Sequence, residues 1–328
     1  MEILDVLKKQ GYHVVGNHSA VKRCMWFRRS MIGEGTCYKN KFYGIKSHQC
    51  VQSTCVLQFC SQSCVFCWRT MADELGLKFN ETPPKDFEWD PPEEILEGLL
   101  REQLRFVSGY KGNEKTKENI FKEASDPKLL TLSLAGEPTM YPRLDELIKL
   151  AKKRGMITFL VTNGTFPDAL EKLEKQNALP NQLYVSFDAS NQKVYEKTCR
   201  PHKEGLWKKY LETLDFLKKI KGKTRTVLRM TVVRDYNFLD VEGDAVLVKR
   251  AQPDYVEVKS FVFVGGARNP KRNLKLEYML TIEEIEEFTK KLEKLTGYKY
   301  TDKHVLSRVT LLCRDTTALN KRKDLEKF

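Results

Sequence analysis

Cys60-Ser-Gln-Ser-Cys64-Val-Phe-Cys67 is the segment with the clearest chemical meaning, a C-x3-C-x2-C run. Three thiolates at this spacing can hold three irons of a [4Fe–4S] cube and leave the fourth iron open to a substrate or cofactor. Upstream, Cys24, Cys37 and Cys50 recur at intervals of thirteen residues. Ligands so far apart would come from separate loops, and three more thiolates in the same region imply a second three-cysteine cluster. Structural zinc is the alternative. Such a site wants four protein ligands, and Cys64 with Cys67 would give one pair and His48 with Cys50 part of another. Cys55 fits neither set and, like Cys199 and Cys313, reads as a small buried hydrophobe.

The composition agrees with metal chemistry in a reducing compartment. Seven of the nine cysteines lie between residues 24 and 67, where even scatter would place about one, and such crowding points to metal rather than disulfides. Hydrophobic residues make up 41% and charged residues 31% of the 328, which excludes disordered and fibrous chains. The opening MEILDVLKKQGYHVV lacks a long apolar core and a small-residue cleavage site, and no apolar run is long enough to span a bilayer. A cytoplasmic protein with no membrane contact is the expectation. The 57 basic against 44 acidic residues leave a net charge of +13, which favours a polyanionic partner, nucleic acid first.

Elements able to position these residues appear after residue 90. Pro91 and Pro92 open a helical run with Ile95, Leu96, Leu99, Leu100, Leu104 and Val107 on one face, and the polar segment Tyr110 to Asn119 reads as an exposed loop. Strands are expected at Leu129 to Leu134, Ile157 to Val161, Leu183 to Phe187, Thr226 to Val233, Val256 to Val264 and Val305 to Leu312. Helices fall at Leu144 to Arg154, Asp168 to Gln176, Lys203 to Lys219, and from the Thr281/Glu284 capping box to Leu295. Strands alternating with helices must be parallel, because each needs a crossover. About six units fit. The expectation is therefore an α/β fold, a partial (β/α)6 TIM-like barrel over residues 51–328, preceded by a cysteine-bearing extension over residues 1–50.

The C-x3-C-x2-C run followed by Trp68 resembles the radical S-adenosylmethionine (SAM) superfamily. Downstream pieces agree in order: Ala135-Gly136-Glu137-Pro138, Thr162-Asn163-Gly164 and Ser186-Phe187-Asp188 each end an expected strand, where barrel enzymes assemble their sites. Taken singly, Asn163-Gly164 is also a turn pair and Ser186 or Asp188 an ordinary helix cap. The resemblance implies that the Gly136/Glu137 motif holds the methionine amine of SAM, with Asn163, Ser186 and Asp188 among the polar strand-end residues that contact the rest of it. The thirteen-residue cysteine spacing, Lys39 two residues after Cys37, and Cys67-Trp68-Arg69 narrow this further, since together they resemble the tRNA 4-demethylwyosine synthase family of the wybutosine pathway.

That resemblance implies a lyase with two [4Fe–4S] clusters and SAM. It would condense pyruvate with N1-methylguanosine next to the anticodon of tRNA-Phe to form 4-demethylwyosine. Lys39 is the implied catalytic residue, either as a Schiff base with pyruvate or as electrostatic partner to pyruvate on the second cluster. The flavodoxin-like domain of eukaryotic members is absent, so the archaeal type is implied, acting as a monomer with an external donor such as ferredoxin or a flavodoxin/reductase. For tRNA, Lys22, Arg23, Arg28, Arg29, Lys111, Lys115 and Lys117 are candidate phosphate contacts, and Trp26 and Trp68 candidate stacking partners. Two other readings stand beside this one: a radical SAM enzyme acting on a small molecule or a protein, and a zinc-stabilised RNA-binding module.

Overall fold

A computed structural model describes residues 3–76 and 82–325. The chain begins with helix α1 (Ile3–Lys9), a hairpin of β1 (Tyr12–Val15) and β2 (Ser19–Lys22), and helices α2 (Met25–Met31) and α3 (Tyr38–Tyr43). From β3 (Cys50–Thr54) the alternation starts: α4 (Pro92–Ser108), α5 (Glu118–Ala124), β4 (Leu129–Leu132), α6 (Leu144–Lys153), β5 (Ile157–Thr162), α7 (Pro167–Lys175) and β6 (Gln182–Ser186). It continues through α8 (Gln192–Cys199), α9 (Leu206–Lys219), β7 (Arg225–Val232), α10 (Val241–Ala251) and β8 (Tyr255–Ser260). The last elements are α11 (Ile282–Thr296), β9 (Lys299–His304), β10 (Val309–Cys313) and α12 (Thr316–Asn320).

Strands β3 to β8 pair in chain order and all in parallel, so a six-stranded partial barrel is the architecture observed, with the unexpected β3 as its first strand and the strand expected near Leu312 outside the parallel set. Antiparallel strands flank it, β2 and β1 beside β3, and β10 and β9 beside β8. Both sheet faces are covered, which is why the strands are apolar at successive positions. Leu130, Leu160, Leu183, Leu228 and Val256 face the outer helices, packing with Ile95, Leu147, Leu214, Val248 and Ile285. The alternate residues Leu129, Phe159, Tyr184, Val227 and Tyr255 face inward, and Tyr38, Phe42 and Tyr43 of α3 fill that space. The first fifty residues thus share a core with the barrel strands and lend the sheet a hairpin.

Differences from the sequence reading have local causes. The strand expected at Val256 to Val264 ends at Ser260, and Val262 and Val264 are exposed before a series of short 3-10 turns. Val305 to Leu312 is not one strand: a turn at Val305–Ser307, closed by left-handed Arg308, makes a hairpin of β9 and β10. Leu104 lies off the buried face of α4 and is exposed. Among the described residues no helix is long and apolar enough to cross a membrane.

Candidate cluster and cofactor site

The loop that leaves β3 carries Cys60, Cys64 and Cys67, and backbone contacts fix its course. Glu137 N–H donates to the Phe59 carbonyl (2.9 Å), Val65 N–H to the Thr198 carbonyl (3.0 Å) and Ser63 N–H to the Arg200 carbonyl (3.1 Å). Gly136 sits so close beneath the loop that a Cβ there would fall 1.6 Å from the Val56 oxygen, and its φ of +73° is also one that side chains disfavour. On the far side the Arg272 guanidinium donates to the carbonyls of Cys67 and Arg69 (2.6 Å to the latter) while paired with Glu74. Arg272 and Glu74 side chains are each only 3% exposed, and neither carried a sequence signal that would have marked it.

The C-terminal strand ends meet this loop. Glu137, buried, accepts from Thr139 N (3.1 Å), Thr139 Oγ1 (2.6 Å) and Thr162 Oγ1 (2.7 Å) on one oxygen and from Asn163 N (2.7 Å) on the other. Its carboxylate therefore ties the end of β4 to the end of β5. Asn163 Nδ2 donates to Ser61 Oγ (2.9 Å) and lies 3.7 Å from Cys60 Sγ. A cleft beside these groups is lined by Gln62, Asn163, Ser186, Asp188, Tyr195 and Tyr210. Of the residues read for SAM, Asn163, Ser186 and Asp188 line the cleft, while Gly136 and Glu137 form its support. Burial pushes the Asp188 carboxyl up to about 7, against a hydrogen bond from Thr231 N (2.7 Å) that pulls it back.

The second cysteine set is carried by three elements, and among the described residues no three His, Cys, Asp or Glu side chains close up tightly enough to hold a single metal ion. Cys24 and Cys37 stand at the N-caps of α2 and α3, and Cys50 opens β3 with its Sγ 3.4 Å from Thr131 Oγ1. Cys24 and Cys50 both act electrostatically on Cys37, and Lys39 on all three. Burial pushes Cys37 up to about 12 and Cys50 up to about 11. Lys39 is only 8% exposed, with its ammonium 4.6 Å from the Tyr184 ring centre and 5.2 Å from that of Phe159. Burial lowers its pKa; the nearby thiols and Glu257 oppose the shift, and Arg229 reinforces it.

The donor chemistry suits iron–sulfur clusters better than zinc. Each set offers three thiols, and His48, which zinc would have borrowed, is engaged at both ring nitrogens, with Ser30 Oγ (3.0 Å) and Glu123 Oε2 (2.7 Å). Buried thiols resist ionising, so the positive charge of bound iron must supply what burial opposes. Cys199 is buried as read, packed with Tyr195 beside Cys64, whose Sγ donates to Gln62 Oε1 (3.3 Å). Cys55 and Cys313 are buried as read.

Residues 54–248 match the radical SAM superfamily, and residues 250–314 match the family described as wyosine base formation. The SAM-dependent tRNA 4-demethylwyosine synthase of Pyrococcus abyssi is 40% identical over 96% of this chain and 89% of its own. That of Methanocaldococcus jannaschii is 41% identical over 97% of this chain and 98% of its own. The chain belongs to this synthase family. Members are SAM-dependent radical enzymes, and a [4Fe–4S] cluster comes with the superfamily. A solved structure of the synthase TYW1 with a lysine–pyruvate adduct bound superposes with a TM-score of 0.83, at 40% identity and covering 96% of both chains.

Among the candidate RNA contacts, Trp26 is buried against His304 and offers no free face for stacking, whereas Trp68 is 42% exposed with its indole N–H held by the Leu134 carbonyl (3.0 Å). Arg23, Arg28, Lys111, Lys115 and Lys117 are exposed, and Lys22 and Arg29 half-buried. Lys115 approaches Glu34 (3.9 Å), which brings the 110–117 loop beside the chain that follows α2.

Proposed function

We propose that the chain condenses pyruvate with N1-methylguanosine of tRNA-Phe to form 4-demethylwyosine. Cys60, Cys64 and Cys67 hold the SAM-binding cluster, and Cys24, Cys37 and Cys50 hold a second. The observation that carries this reading is the place of Lys39, a buried amine inside the barrel beside the second cysteine set, supported by the lysine–pyruvate adduct of the related structure.

A cluster on Cys60, Cys64 and Cys67 with SAM beside it would supply the one-electron chemistry needed at the methyl group of the base. The chain's own residues orient the parts. Asn163, Ser186 and Asp188 stand at the strand ends that would contact SAM, and Glu137 keeps the two strand ends at fixed separation. Lys39 attacks the pyruvate ketone as a free amine, a form that burial favours. The +13 charge draws the tRNA, and Trp68 stacks on the displaced base. An external ferredoxin or flavodoxin delivers the electron, and the chain works as a cytoplasmic monomer.

Iron and acid-labile sulfide on anaerobically prepared protein test the two-cluster reading: about eight irons per chain are expected, and about four would remove the second cluster. Labelled pyruvate trapped by borohydride on the wild type and absent from Lys39→Ala supports the Schiff base, and equal trapping without the lysine overturns it.

A further inference from the structure

Lys39 faces a group of charged side chains that no cysteine spacing or strand-end motif pointed to. On the inner face of the sheet, Arg229 of β7 pairs in register with Glu257 of β8, and Lys259 follows two residues on, hence on the same face. Ser186 of β6 pairs with Arg229 from the other side. Glu257 is fully buried. Its Oε1 accepts from Tyr43 OH (2.7 Å) and Tyr184 OH (3.2 Å), the latter belonging to the ring beneath the Lys39 ammonium, while Oε2 has no hydrogen-bond partner. Arg229 and Glu257 both act electrostatically on Lys39 and on Lys259.

The hydrogen bonding around this group is incomplete. Among the described residues, no hydrogen bond or ion pair falls on the Arg229 guanidinium or on the Lys39 ammonium, and Lys259 Nζ has one carbonyl, that of Ser260 (3.0 Å). Arg229 and Lys259 therefore share Glu257, which already serves two phenols, while Asp188 also acts on Arg229 and Lys39 stands beside them as the amine. Arg229 and Lys259 are half-buried, and a planar fork of N–H groups without an acceptor suits a carboxylate held by two parallel bonds. A guanidinium without an acceptor beside the Lys39 amine has the sign and the donor geometry of a site for a small carboxylate.

We propose that Arg229, with Lys259 beside it, anchors the carboxylate of the 2-oxo acid that Lys39 binds, and so selects a 2-oxo acid over a neutral carbonyl compound. This rests on the reading of Lys39 as the pyruvate-binding amine. The arrangement separates two tasks: Lys39 meets the ketone carbon, and Arg229 with Lys259 meets the charge. Loss of the charged contact weakens capture of pyruvate but not of pyruvamide, which has the same ketone and no carboxylate.

The test uses cluster-loaded protein with pyruvate and pyruvamide in parallel borohydride trapping, and equilibrium binding of SAM as the control. In Arg229→Gln and Lys259→Gln the pyruvate concentration giving half-maximal trapping is expected to rise about tenfold or more, as for loss of a charge-assisted pair. Pyruvamide trapping and SAM affinity stay as in wild type, and Arg229→Lys recovers part of the loss. Unchanged pyruvate half-saturation overturns the proposal. So does an equal loss with pyruvamide, which marks a packing role, or a loss of SAM affinity with pyruvate untouched, which assigns Arg229 to the carboxylate of SAM. If the wild type traps neither compound, the Lys39 reading fails by itself. Equilibrium dialysis of pyruvate then decides the anchor, with weaker binding by Arg229→Gln upholding it and equal binding overturning it.

Discussion

Glu137 and Asn163 are joined by a hydrogen bond from the Asn163 backbone N–H to Glu137 Oε2 (2.7 Å), and through it the end of β4 is fastened to the end of β5. The other oxygen takes three donors from Thr139 and Thr162. Burial raises the pKa of this carboxyl while those four donors lower it. Glu137→Ala would strand the donors in the interior, at about 1–3 kcal/mol for each one that finds no water. The expected outcome is a lower denaturant midpoint together with weaker SAM binding, because the Asn163 side chain that reaches Ser61 and Cys60 hangs from the same turn. Denaturation and equilibrium SAM binding on the one variant check both; wild-type SAM affinity in a destabilised variant would confine Glu137 to a structural part.

Asp188 makes stability depend on pH near neutrality. Its carboxyl is raised from 3.8 to about 7 in the folded chain, chiefly by burial. Between those values the folded chain keeps a proton that the unfolded chain has released. Stability from this group is therefore complete below the lower value and is lost as pH rises to about 7, at about 1.4 kcal/mol for each tenfold fall in proton concentration. Urea midpoints of cluster-loaded protein should fall between about pH 5 and about pH 8, and fall less in Asp188→Asn, which cannot ionise. Equal slopes in the two proteins would contradict the assignment.

Much of this was legible in the sequence, for reasons specific to particular residues. The parallel order of β4 to β8 follows from apolar strands alternating with helices, and the start of α11 from Thr281 and Glu284, whose reciprocal capping bonds are both present, whereas β3 was not read as a strand and the last expected strand is the antiparallel β10. That Asn163, Ser186 and Asp188 lie near one another was readable because parallel barrel strands bring their C-terminal ends together. The place of α3 was not readable. Its segment Tyr-Lys-Asn-Lys-Phe-Tyr is too short for a helical period to declare a face, and two lysines make it look like surface, yet Tyr38, Lys39, Phe42 and Tyr43 are buried inside the barrel. Arg229, Glu257 and Lys259 were hidden for a related reason: they lie within strands read as apolar, and only the register across β7 and β8 shows that they share a face.

Arg272 predicts how firmly the first cysteine set is held. It arrives from the 3-10 turns after β8, binds the carbonyls of Cys67 and Arg69, and neutralises Glu74 through two contacts of 2.5 and 2.9 Å. Arg272→Ala leaves the Glu74 carboxylate buried without its counter-charge, a loss of about 3–5 kcal/mol. The double change Arg272→Met with Glu74→Gln removes the stranded charge but not the missing support for the two carbonyls. The single variant should therefore be the less stable of the two, and both should lose iron to a chelator faster than wild type. Iron retained at the wild-type rate in both would show that the clamp does not act on the cysteine loop.

The two cysteine sets should fail separately, because different elements hold them. Cys60, Cys64 and Cys67 lie on one loop fastened to β4, β5 and the chain after α8, whereas Cys24, Cys37 and Cys50 are carried by two helix N-caps and the start of β3, on the side where α3 fills the barrel. Cys60→Ala is expected to abolish SAM cleavage outright. Cys37→Ala should retain most SAM cleavage, since the loop, Asn163 and Asp188 are untouched, and yet form no tricyclic base, since Lys39 loses its neighbour and the proposed second cluster would lose a ligand. Methionine release and nucleoside analysis of the tRNA read the two steps independently. Loss of SAM cleavage in Cys37→Ala would mean that the sets are one electronic unit, and base formation at the wild-type rate would mean that the upstream cysteines have no part in the reaction.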